Sequence, residues 1–66
     1  MRIWRVRPKG DGERWLVISP DSHVTEFVTG NLAIDFSRQR AQQAHEVLMV
    51  YSGDERVFST EDYRLH

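Results

Sequence analysis

Residues 2–7 alternate in character, with Trp4 and Val6 on one side of an extended chain and Ile3, Arg5 and Arg7 on the other, the period-two signature of a half-buried strand. Pro8 is expected to end it. Lys9-Gly10-Asp11-Gly12-Glu13 has the glycine and acid that let a chain reverse, and it leads into the continuous apolar run Arg14-Trp15-Leu16-Val17-Ile18, too short for a helix. These two segments predict a hairpin. Ser19-Pro20-Asp21-Ser22 predicts a turn, with Pro20 at the first central position and Asp21 at the second. A third strand is expected over 23–28. Thr29 and Asn31 are both competent helix N-caps, Asp35 falls in or near the first turn, and the helix runs to about His45.

On a helical wheel Ala33, Ile34, Phe36, Ser37, Ala41 and Ala44 share one broad side, opposite Asp35, Arg38, Gln39 and Gln42. The buried side is therefore made mostly of small residues, and the bulk of the core must come from the sheet, chiefly Trp4, Trp15 and Phe27 or Val28. Arg40 falls within the apolar stripe, so its stem is expected to pack while its guanidinium reaches the edge. Val47-Leu48-Met49-Val50-Tyr51 is a second apolar run, followed by the turn Ser52-Gly53-Asp54-Glu55 and a short fifth strand around Arg56-Val57-Phe58. Residues 59–66 read as a polar tail that packs through Tyr63 and Leu65 or frays. The order β-β-β-α-β-β predicts one α+β domain spanning 1–66: a single antiparallel sheet with one amphipathic helix on one face.

One helix covers one face only, yet the runs 15–18 and 47–51 are apolar on both sides. With Trp15 and Val17 toward the helix, Leu16 and Ile18 face away, joined by Ile3 and by either Leu48 and Val50 or Val47, Met49 and Tyr51. This predicts an apolar patch rimmed by Arg5 and Arg7, the kind of surface that marks a protein interface or a homodimer. The competing arrangement folds the tail over the patch through Phe58, Tyr63 and Leu65.

Composition sharpens the need for a partner. The chain has 66 residues, 39% hydrophobic and none of them cysteine, so disulfides, thiolate chemistry and Cys-type zinc sites are excluded. A core this small supplies only about 3–5 kcal/mol. The net charge of −1 is composite: residues 1–14 carry +3 and residues 15–66 carry −4. Arg2, Arg5, Arg7, Lys9 and Arg14 thus form a basic hairpin that could track a phosphate backbone. Against this, Trp4 and Trp15 are expected in the core and unavailable for base stacking, and the pI of about 6.3 is low for a nucleic-acid binder.

Catalytic and metal chemistry find little support. His23, His45 and His66 are 22 and 21 positions apart, without the i, i+3 or i, i+4 spacing of a helical metal motif. Asp21-Ser22-His23 holds the residue types of a hydrolase triad, but adjacent residues point their side chains apart. Gly10-Asp11-Gly12 lacks the following helix of a phosphate loop. No catalytic residue, cofactor, metal or small-molecule substrate is expected. Charges interrupt every apolar residue or pair at the N-terminus and no run approaches a membrane span, so a cytoplasmic protein is expected, without membrane association.

Val6-Arg7-Pro8, Gly12, Trp15-Leu16-Val17, Thr29 with Ala33, Ala41 and Ala44, Leu48-Met49-Val50-Tyr51, Gly53-Asp54 and Tyr63 together resemble a family of short bacterial proteins grouped as a domain of unknown function. Arg14 stands where that pattern has glycine, and Gly30-Asn31-Leu32 where it has a charged helix start. The resemblance implies a fold and no activity. The leading expectation is a non-enzymatic interaction module meeting itself or a protein partner through Ile3, Arg5, Arg7, Leu16 and Ile18. Phage and mobile-element products that inhibit host machinery include short proteins of this kind. The alternative is a nucleic-acid-binding accessory.

Overall fold

A computed structural model describes residues 1–10 and 13–65. Five strands and one helix follow in the order β1 (Ile3–Lys9), β2 (Arg14–Ile18), β3 (Val24–Phe27), α1 (Gly30–Ala44), β4 (Val47–Tyr51) and β5 (Val57–Asp62). The fold is α+β, with the helix placed between the third and fourth strands as expected. The spatial order of the strands is β3-β2-β1-β4-β5, so the first strand of the chain is the central strand of the sheet.

The sheet is mixed and not wholly antiparallel, because β1 pairs parallel with β4 through Ile3↔Val47 to Val6↔Val50. The reason is the crossover. A helix that leaves one end of β3 and runs back over the sheet must deliver the next strand in the same direction. β3 already runs parallel to β1, since each is antiparallel to β2.

β1 extends through Pro8 to Lys9 instead of ending at Pro8. The β4 ladder stops at Val6, so beyond it that side of β1 asks for no donor and proline is tolerated. β3 is shorter than predicted at both ends. The predicted glycine turn falls partly on residues 11–12, outside the described residues. Ser19 to Ser22 forms the second turn: Ser22 N–H donates to Ser19 O at 2.9 Å and Ser22 lies in the left-handed region at φ 69°. Ser52 to Glu55 repeats this design, with Glu55 N–H donating to Ser52 O at 3.0 Å and Glu55 at φ 65°.

Thr29 is the N-cap, its hydroxyl accepting from Leu32 N–H at 3.2 Å; Asn31 lies inside the helix, and Asp35 falls beyond the first turn. His45 caps the other end at φ 56°, ψ 48°, and Glu46 N–H donates back to Ala41 O at 2.9 Å, closing the last turn in the Schellman manner. Ala33, Ser37 and Ala41 are the buried helix residues. Ala44, expected on that side, is exposed. The fully enclosed core is Val6, Val17, Ala33, Ala41, Leu48 and Val50, flanked by half-buried Trp4, Trp15, Phe27, Ile34, Phe36 and Tyr63. Aliphatic strand residues thus fill the centre and the aromatics ring it. Phe27 takes the inward place and Val28 is exposed.

β5 is the largest departure from expectation. It starts at Val57 and runs through the supposed tail to Asp62, paired antiparallel with β4. Arg38, expected on the solvated side of α1, reaches down to it: Nε and Nη2 donate to the two carboxylate oxygens of Glu61, both at 2.8 Å. The wheel places Arg38 away from the core, but the sheet is wide enough to extend beneath it. Among the described residues no helix is long and apolar enough to cross a membrane.

Candidate functional site: the open face of the sheet

Side chains of paired residues share a face, so the register assigns every strand residue to the helix side or to the open side. On β1 the open side carries Ile3, Arg5 and Arg7. Arg7 pairs with Leu16 and Arg5 with Ile18 on β2, while Arg5 pairs with Met49 and Ile3 with Val47 on β4. Val24 extends the row past Ile18, and Tyr51 ends it beside Val57. The five residues singled out as an interface therefore stand together on one face. The open choice for residues 47–51 resolves to Val47, Met49 and Tyr51.

The tail does not cover this face. Tyr63 packs with the core cluster on the helix side, Leu65 is 77% exposed and Phe58 is 78% exposed. Phe58 instead borders a depression with Trp15, Ile34 and Gly30. Ile3, Leu16, Ile18, Met49 and Tyr51 are half-buried, Val47 is covered at 2% exposure, and Val24 and Val57 are 60% and 51% exposed.

Electrostatics separates the five basic residues of the first hairpin. Arg2 donates to Asp21 at 3.0 Å and also to Glu46; Arg7 pairs with Glu55; Lys9 lies 3.3 Å and Arg14 3.9 Å from the carboxylate of Glu26. Arg5 is the member for which no ion pair exists among the described residues. The basic hairpin legible in the sequence is thus largely neutralised by acids brought from β3 and from the turns. Arg2 holds the Asp21 carboxyl below its ordinary pKa, through their hydrogen bond first and their charges second.

Sequence reasoning missed Val24, Glu26, Glu55 and Val57 at this face. Beside Arg5 lies a depression of about 260 Å³ lined by Arg5, Arg7, Tyr51 and Glu55. Tyr51 reaches across to Met49, its hydroxyl 3.7 Å from the sulfur.

On the helix side, Asp21 and His23 border a cleft of about 280 Å³ with Trp4, Phe36 and Arg40. Arg40 behaves as its stripe position predicts, its exposed guanidinium lying 5.0 Å from the Phe36 ring centroid. Asp21 and His23 do not form a triad: the carboxylate is turned to Arg2, and the His23 backbone N–H donates to Ser19 Oγ. Among the described residues no group of three or more His, Asp or Glu could hold a metal ion.

Comparison with family models, with curated proteins and with solved structures finds no match to this chain.

Proposed function

We propose that the protein is a non-enzymatic, cytoplasmic interaction module that docks another polypeptide on the open face of its sheet. One observation carries this reading: Val24, Ile18, Leu16, Ile3, Met49, Tyr51 and Val57 share the sheet face opposite the helix, grouped around Arg5, and each stays at least partly exposed, whereas Val47 on the same face is covered. A contiguous apolar patch with a polar rim is a signature of protein contact. The nucleic-acid reading through Arg2, Arg5, Arg7, Lys9 and Arg14 is weaker, because phosphates would have to displace carboxylates already paired with four of the five.

The reading is tested by placing a photo-crosslinking amino acid at position 16 or 18, and at the exposed helix position Gln39 as control, in cells of the natural host. A discrete polypeptide adduct from 16 and 18, and none from 39, is expected. No adduct at either sheet position overturns the reading. A salt-sensitive gel shift with DNA or RNA that Arg5→Ala weakens would favour the alternative.

A further inference from the structure

We infer that the occupant of the open face is a different protein, not a second copy of this chain, and that it sets a carboxylate from within its own apolar patch onto Arg5. This rests on the docking reading above and names the partner's chemistry.

The position of Arg5 is the first reason. β1 is the middle strand of five, and on the open face Arg5 is flanked by Ile18 on one side and Met49 on the other. A guanidinium without an ion pair among the described residues therefore stands in the middle of the apolar surface. A purely apolar partner would strip its water and give nothing back, which is unfavourable for any charge. A carboxylate would supply two acceptors that match the guanidinium fork. The depression of about 260 Å³ beside Arg5 offers the seat. Glu55 on its rim is already engaged by Arg7, which leaves Arg5 as the cation with its capacity open.

Symmetry supplies the second reason. Stacked sheets either keep their strands within about 30° of one another or cross near a right angle. A two-fold stack centred on the middle of this face crosses β1 over β1 and brings the Arg5 of one copy against the Arg5 of the other. Like charges would then meet in the driest part of the contact.

Arginine is among the residues that most often anchor protein interfaces, and Arg5, on the central strand, is placed at the middle of the face.

The experiment identifies the photo-adduct formed from position 16 by mass spectrometry, then measures the dissociation constant of the purified pair. The expected adduct is with another protein. Arg5→Glu is expected to weaken binding at least about tenfold, and replacing an Asp or Glu in the crosslinked region of the partner by Arg should restore it. Arg5→Gln, which keeps the stem and adds no charge, guards against loss of fold and should weaken binding in the same direction. An adduct between two copies of this chain overturns the inference while leaving the docking reading standing. So does a foreign partner whose affinity Arg5→Gln changes less than twofold. Absence of any adduct removes both.

Discussion

The indole Nε1 of Trp4 donates to Glu46 Oε1 at 2.8 Å, tying the central strand to the residue that follows the helix C-cap. Glu46 is 8% exposed, and Arg2 is its second donor. Trp4→Phe keeps most of the ring but removes the N–H, leaving a nearly buried carboxylate short of one partner. The expected destabilisation is about 1–3 kcal/mol, read as a lower urea midpoint with an unchanged slope.

The fork between Arg38 and Glu61 makes the anchoring of β5 sensitive to acid. The hydrogen bond from Arg38 holds the Glu61 carboxyl below its ordinary pKa, with a further contribution from Tyr63 and against the opposing effect of burial. A carboxyl depressed in the folded state contributes stability that is fully present above its unfolded pKa, about 4.3, and is lost as pH falls through the folded value. Wild type should therefore lose more stability than Glu61→Gln between about pH 5 and the acid limit. Arg38 is 40% exposed at the side chain, so solvent screening keeps the pair's coupling near the upper end of exposed pairs, about 1 kcal/mol in a double-mutant cycle. Coincident acid titrations of the two proteins would contradict this.

Gly30 is a packing glycine. A Cβ there would lie 2.9 Å from Cε2 of Trp15 and 3.2 Å from Cδ2, so the ring as a whole must give way. Alanine at a helix position ordinarily gains about 0.5–1 kcal/mol over glycine, whereas overpacking costs about 1–3 kcal/mol. Gly30→Ala should be net destabilising by about 1 kcal/mol, with a shift in the tryptophan emission maximum that an ordinary helix substitution would not produce.

Leu16 and Val17 are neighbours with opposite fates. Val17 is 1% exposed within the core cluster, and Val17→Asp should abolish cooperative unfolding because a buried carboxylate there has no partner. Leu16 stands on the open face between Arg7 and Glu26. Leu16→Asp should keep the circular dichroism spectrum and a cooperative melt while removing the photo-adduct at position 18. Loss of fold in both variants would show that the open face is core.

These neighbours also mark what was legible in the chain. The alternation of Trp4 and Val6 against Ile3, Arg5 and Arg7 carries its own face assignment, since each side has its own chemistry. The runs 15–18 and 47–51 do not, being apolar on both sides, and only the register with β1 decides that Leu48 and Val50 face inward. The parallel pairing of β1 and β4 is a property of two distant segments, and neither alone displays it. β5 was hidden because Ser59-Thr60-Glu61-Asp62 is polar; the ladder to β4 and the grip of Arg38 on Glu61 hold it, not an apolar pattern. The ion pairs that neutralise the first hairpin join residues 12 to 48 positions apart, from Arg14 with Glu26 to Arg7 with Glu55, so composition exposes the charges but not their partners.

The central placement of β1 also bears on how the chain comes into being. Its one flank is met by β2, which begins at Arg14, but its other flank waits for β4, with Ile3 finding Val47 only 44 positions later. Contacts of such sequence separation in so short a chain slow folding, because the loop must close before the pairing stabilises it. During synthesis the inner edge of β1 stays unpaired until the helix and β4 have emerged, a template for wrong strands in the meantime. Chains ending before residue 47 should accordingly aggregate more than chains that include β4.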